Sequence, residues 1–285
     1  RSTVWLNAVF TTRRAGSASN HAMISFAPWA KGIVATKSGT SRLILVLSKI
    51  MLCALSPNRP SPHSLSYAAI KSDGTLWAWG YGALGQLGDG CVFGSCNDRV
   101  SPGQVGSDAT WARIAAGNVH SAAIKQNGTL WTWGDNSSGQ IGTGCTGSSC
   151  FYISTPTQIG TDTNWATVVA GSGGFFNVAL KKDGTLWAWG ENTWGQLGDG
   201  CVKGSTCAAK AVPIQVGTDA DWSAVAAGAN HVIALKKNGT LWAWGENDYG
   251  QLGDGSGGSA TAYRSSPTPV GSDTDWNAIA AGDEH

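Results

Sequence analysis

Charged side chains are scarce in this sequence. Asp, Glu, Lys and Arg make up 13% of its 285 residues, about half the usual ~25%. The formal net charge is +1, which gives no reason to expect nucleic acid or an anionic membrane as a partner. No apolar run approaches the ~20 residues needed to cross a bilayer as a helix, so no membrane span is expected. There is no Walker phosphate loop and no nucleophile-elbow pattern, which removes two common signatures of enzymatic chemistry. Acidic residues are missing altogether from residues 1–64, which carry eight Lys or Arg. Residues 65–285 hold the other eleven basic residues and all eighteen acidic ones, so the chain divides into a +8 segment and a −7 segment.

Glycine and tryptophan are the reverse, with 40 and 15 copies. Sparse charge together with many glycines and tryptophans points to tight turns between short strands covered on both sides. The excess is periodic. Asp73-Gly74-Thr75-Leu76-Trp77-Ala78-Trp79-Gly80 recurs as Asn127–Gly134, Asp183–Gly190 and Asn238–Gly245. Its second tryptophan falls at Trp79, Trp133, Trp189 and Trp244, and a separate series runs Trp111, Trp165, Trp222 and Trp276. Steps of 54 to 57 residues make this a supersecondary repeat.

Each unit reads as β structure. Ala122–Lys125 and Thr129–Trp133 are short strands flanking Asn127-Gly128, a pair that predicts a two-residue type I′ hairpin with both central residues at positive φ. In Leu76-Trp77-Ala78-Trp79 the tryptophans face one side and Leu76 and Ala78 the other. Neither side is polar, so each sheet needs a cover on both faces. The Trp111–Gly117 stretch and its copies supply a further strand, with small alanines where packing is closest. The expectation is an all-β β-propeller of four-stranded antiparallel blades. Its blades span approximately 65–110, 111–164, 165–221 and 222–275, and 276–285 starts another.

The stretch His231-Val-Ile-Ala-Leu-Lys-Lys-Asn-Gly-Thr-Leu-Trp-Ala-Trp-Gly-Glu-Asn-Asp-Tyr-Gly-Gln-Leu-Gly-Asp-Gly255 resembles the repeat of the regulator of chromosome condensation family. The resemblance covers residues 65–285 and implies a seven-bladed parent, of which this sequence is an incomplete arc of about four to five blades. Members of that family are mostly binding proteins. They include an exchange factor for a nuclear GTPase, a plant ultraviolet-B photoreceptor and secreted bacterial proteins such as β-lactamase inhibitor protein II.

Residues 1–64 share none of the registers and are expected to be a poorly ordered basic segment or a degenerate blade. Leu43–Leu55 has the length of a signal-peptide apolar core, but Lys49 interrupts it and 42 residues precede it. In the repeats, Cys91/Cys96, Cys145/Cys150 and Cys201/Cys207 occupy one loop register. A zinc site needs four ligands, and no loop offers a second pair. Three short-range disulfides are therefore expected, and with them an oxidising, extracytoplasmic compartment (secreted, periplasmic or cell-surface). Cys53 is left over.

Other chemical signals dissolve into the repeat. Gly80–Gly85 matches G-x-G-x-x-G, but Asn136, Asn192 and Asn247 stand where Gly82 does, so this is a turn rather than a dinucleotide loop. His120, His231 and His285 share a position with Phe176, which marks packing rather than metal ligation. Asp219/Asp221 and Asp273/Asp275 have calcium-like spacing, but their counterparts Thr110 and Asn164 favour Asx turns. No cofactor, metal or catalytic residue is expected.

Function in such a scaffold should sit where copies differ. The residue before the second glycine of the Gly-x-x-x-x-Gly turn is Leu84, Ser138, Trp194 or Tyr249, and the third copy adds Ser172-Gly-Gly-Phe175-Phe176. Leu84, Trp194, Tyr249 and Phe175 are the candidate contacts for a protein partner. The expected function is a non-enzymatic, exported interaction scaffold. The alternative is a regulator acting as a guanine-nucleotide exchange factor for a small GTPase.

Overall fold

The repeated Trp-x-x-Ile/Val-Ala-Ala and Leu-Trp-Ala/Thr-Trp segments are the strands of the fold. A computed structural model describes residues 65–91, 95–145, 150–257 and 262–285. The readings of residues 1–64, including the signal-like run and Cys53, fall outside the described residues. The first sheet holds β1 (Ser66–Ile70), β2 (Leu76–Gly80) and β3 (Arg99–Gln104). The second holds β4 (Trp111–Ala116), β5 (His120–Lys125), β6 (Leu130–Asp135) and β7 (Tyr152–Gln158). The third holds β8 (Trp165–Ala170), β9 (Phe176–Lys181), β10 (Leu186–Gly190) and β11 (Lys210–Gln215). The fourth holds β12 (Trp222–Ala227), β13 (His231–Lys236), β14 (Leu241–Gly245) and β15 (Arg264–Pro269). Strands pair antiparallel in chain order within every sheet. No α-helix occurs among the described residues, and the sheets are four blades of an incomplete β-propeller. Trp276–Ala281 repeats the sequence pattern of β4 but joins no strand, and Trp276 is 43% exposed.

The last strand of each sheet, the third in the first sheet and the fourth in the others, carried no clear sequence signal, because β3, β7, β11 and β15 all contain proline. Proline cannot donate to a ladder and so is confined to sheet edges, where these strands lie. The hairpin also differs from the expected two-residue turn. Lys71 N donates to Thr75 O and Gly74 N to Lys71 O, which closes a three-residue loop with Gly74 at φ 83°. Asp73 Oδ1 accepts from Thr75 N and Oγ1 (3.0 and 2.6 Å), an Asx bond that makes the extra loop residue favourable.

Both faces of the second and third sheets are covered, as the alternation required, and the first and fourth sheets are each covered by a neighbouring blade on one face. The cluster between the second and third blades joins Ile124, Leu130, Ile141 and Ile159 to Trp165, Val168 and Trp189. The same arrangement packs the first blade against the second and the third against the fourth. The Leu-and-Ala side of one sheet thus meets the second-tryptophan side of the next. Hydrogen bonds fasten this seam, since Trp133, Trp189 and Trp244 donate Nε1 to the carbonyls of Gln86, Gln140 and Gln196 (2.9, 2.9 and 3.0 Å). The first tryptophan of each motif is half-buried and holds a cation instead. Lys125 Nζ lies 3.7 Å from the Trp131 ring centre and 4.8 Å from that of Trp111, and pairs with Asp108 at 2.5 Å. Lys181 and Lys236 repeat this box with Asp162 and Asp219.

Candidate functional site

Because each blade is an antiparallel meander, its connections alternate between two faces. The Asn/Asp-Gly hairpins and the linkers between blades lie on one. The long connections lie on the other in their described parts, 81–91 with 95–98, 136–145 with 150–151, 191–209, and 246–257 with 262–263, together with the short connections 117–119, 171–175 and 228–230. Backbone bonds tie long to short, from Asp135 N to Val119 O, Glu191 N to Phe175 O and Glu246 N to Asn230 O. Leu84, Trp194, Tyr249 and Phe175 therefore all belong to this loop face. Tyr249 is 73% exposed, whereas Leu84, Trp194 and Phe175 are half-buried.

The turn that presents Leu84, Trp194 or Tyr249 is built the same way in each blade. The Gln two residues on turns its Oε1 back to accept the backbone N–H of Leu84, Ser138, Trp194 or Tyr249 (2.8 to 2.9 Å). The intervening Gly85, Gly139 and Gly195 lie at φ 72° to 76°, pressed on Ser154, Ala211 and Ser265 of the next blade. Backbone and neighbouring blade thus hold the turn in the first three blades, whereas in the fourth a Cβ added at Gly250 would meet only Ser256 O, at 3.9 Å, and the Gln251 bond braces the Tyr249 turn. The disulfides Cys91–Cys96, Cys145–Cys150 and Cys201–Cys207 close the adjoining loops, with Cα–Cα separations of 5.0, 6.2 and 4.8 Å.

Three features here had no sequence signal. Lys203, inside the Cys201–Cys207 loop, places Nζ 3.0 Å from the centre of the Trp194 ring. Its backbone N–H donates to Tyr263 OH at 2.9 Å. Glu246 accepts from Asn230 Nδ2 at 3.1 Å, and its carboxyl is pushed above the usual carboxylate range, first by burial and then by Asp248 and Glu284. At the outer rim the acids are neutralised, since Asp89, Asp199 and Asp254 pair with Arg99, Lys210 and Arg264 (3.1, 3.4 and 2.7 Å). Further in, Glu191, Glu246, Asp248 and Glu284 lie in connections whose one Lys or Arg is Lys203.

The innermost strands line a cavity of about 490 Å³ whose walls are mostly apolar, among them Ile114, Val168, Val169 and Val225. Among the described residues, no three His, Cys, Asp or Glu side chains come together as a metal site. His120 is wholly buried, with Nε2 3.0 Å from Asn177 Oδ1 of the next blade. Burial lowers its pKa to about 4, against the opposing pull of the Asn177 bond and Asp135. The unfolded chain titrates this imidazole near 6.5 and so binds the extra proton first. Stability from His120 is complete above pH 6.5 and is lost as pH falls toward 4, about 3 kcal/mol in all. Urea unfolding of His120→Phe, which copies the residue at Phe176, should show a shallower loss across that window than the parent protein.

The profile of the Regulator of chromosome condensation (RCC1) repeat matches residues 73–124, 127–180, 183–235 and 238–285, most of the chain. This chain belongs to the RCC1 repeat family. Among curated relatives of this RCC1-repeat chain, the human E3 ubiquitin-protein ligase HERC2 is 31% identical over 191 residues, 66% of this chain and 4% of that protein. The mitochondrial RCC1 domain-containing protein RUG3 of Arabidopsis thaliana is 31% identical over 199 residues, 67% of this chain and 42% of that protein. The chain thus spans less than half the length of either relative. Among solved structures, human WBSCR16 superposes with a TM-score of 0.63 at 23% identity, covering 76% of this chain and 54% of that one. Prp20p of Saccharomyces cerevisiae, described with its binding to Gsp1p and histones, gives 0.60 at 21% identity, covering 73% and 48%. At these identities the structural likeness carries the fold alone.

Proposed function

We propose that this RCC1-repeat chain is a non-enzymatic scaffold that binds a protein partner through its loop face, with Tyr249, Trp194, Leu84 and Phe175 as contacts. The observation that carries the reading is the presented turn position, where a turn braced by the Tyr249 N to Gln251 Oε1 bond offers Tyr249 73% exposed. A large aromatic held out by a fixed turn loses little conformational entropy on binding, which is why such residues anchor interfaces. The acidity of the connections favours a protein over a nucleic acid. Three disulfides support function in an oxidising, extracytoplasmic compartment. No helix among the described residues is long and apolar enough to cross a membrane. An exchange-factor role has only the fold likeness behind it.

The test is a cross-linking pull-down with the full chain as bait, prepared so that its six repeat cysteines resist alkylation without reductant. Trp194→Ala and Tyr249→Ala should each weaken the captured partner at least about tenfold, the range of an interface hot spot. Unchanged affinity in both variants would remove this surface, and free thiols in the native bait would remove the compartment argument.

A further inference from the structure

The chemistry of the occupant can be read from what the loop face already does to its own chain, a step that rests on the surface reading above. The Trp194 ring holds an ammonium, that of Lys203, 3.0 Å from its centre, with the Tyr263 ring 5.7 Å from the same atom. Lys203 reaches the ring from a seven-residue loop pinned by Cys201–Cys207 and by the Lys203 N to Tyr263 OH bond. Lys203 acts on Glu246, which Asp248 and Glu284 also crowd, and among the described residues no other cation is felt there. Below the Trp194 turn, Gln196 is wholly buried and its Nε2 has no acceptor among the described residues. The equivalent Gln140 Nε2 donates a hydrogen bond to Asp135 Oδ1 at 2.5 Å. Glu191 replaces Asp135 in the third blade, and it accepts from Thr193 Oγ1 instead (3.0 Å). Gln86 and Gln251 leave the same donor open, but among the described residues only the turn braced by Gln196 carries an indole bearing a cation, that of Trp194.

We propose that this face receives a lysine- or arginine-bearing segment of a partner protein, whose cation takes the place of Lys203 on Trp194 among Glu246, Asp248 and Glu284. Lys203 is then an internal competitor. A tethered lysine over an indole is held weakly enough to be displaced. A guanidinium, flat and less strongly hydrated, stacks on the same ring and reaches two carboxylates at once. Gln196 Nε2 supplies a donor for a carbonyl of the incoming segment once the turn relaxes.

The probe is a fluorescein-labelled nona-arginine peptide titrated into the full chain, with nona-glutamate as control. The arginine peptide should bind and weaken as salt rises, while the control does not bind. Lys203→Ala should tighten binding about threefold to fivefold, the displaced cation–π contact and like charge being removed together. Glu246→Gln with Asp248→Asn should weaken it about tenfold. Lys203→Ala is read only where its urea midpoint matches the parent protein, so this arm holds even if Trp194→Ala is unstable. Binding indifferent to Lys203→Ala, or to the double carboxamide variant, overturns the proposal. If a captured protein depends on Tyr249 but not on Lys203, Glu246 or Asp248, this assignment falls while the surface reading stands.

Discussion

Trp189→Ala should destabilise the protein by about 3–5 kcal/mol, the range for emptying a fully buried indole site. Trp189 has no exposed surface, packs in the cluster that joins the second and third blades, and donates across the seam to Gln140 O. The loss therefore removes the contact between two blades rather than one contact within a sheet. Phenylalanine separates the ring from the bond. At Trp189 the acceptor keeps a second donor, since Asn177 Nδ2 also reaches Gln140 O at 2.8 Å. Trp189→Phe should then cost about 1 kcal/mol beyond the change in shape. In the fourth blade Val232 stands at the place of Asn177 and cannot donate. Trp244→Phe leaves Gln196 O without its indole donor, and should cost up to about 2 kcal/mol more than its counterpart. Urea unfolding of the three variants checks this, and equal losses at Trp189→Phe and Trp244→Phe would contradict it.

The second large effect lies in the hairpins. Gly128 sits at φ 81°, and a Cβ added there would run into the Thr163 carbonyl in the linker to the next blade. The left-handed backbone alone costs a non-glycine residue about 1–2 kcal/mol. Because the obstacle is backbone rather than a side-chain end, the linker has to move as well. Trp165 N donates to Gly128 O, so the displacement reaches the first strand of the third blade. Gly128→Ala should cost more than about 3 kcal/mol in all. Gly217→Ala is the control, with φ 61° and no heavy atom within 4 Å of the added carbon. It should show the conformational part alone, about 1 kcal/mol. Similar midpoints for the two variants would mean that the hairpin and linker are not in contact.

How much of this was legible in the sequence follows from what repetition encodes. The alternation Leu76-Trp77-Ala78-Trp79 with no polar side, copied in every blade, called for sheets covered twice, and the three clusters between blades supply that cover for the second and third sheets. The cysteines were legible because partners five or six positions apart can meet only in their own loop. The last strands of the sheets were not, because their prolines break the usual strand pattern and their place at the edge is decided by the blade. The turn type was missed because the Asx bond of Asp73 competes with the backbone geometry that an Asp-Gly pair favours. Leu84, Trp194, Tyr249 and Phe175 could be singled out as departures from the repeat, and the meander sets them on one face. Lys203 could not, since nothing within its loop foretells that it will cap an indole in the preceding turn. Similarly, Gln140 and Gln196 are the same letter in the same register. Their difference arises one neighbour away, from Asp135 against Glu191, where a single methylene decides whether an amide proton is used.

The seam between blades has a direction: an aliphatic side always docks on an indole side, never on its own kind. A segment copied in tandem would therefore meet its parent with a ready-made complementary surface, needing no second change to be buried. Length in such a chain can grow by whole units under weak selection, while each new outer turn is at liberty to acquire a side chain of its own.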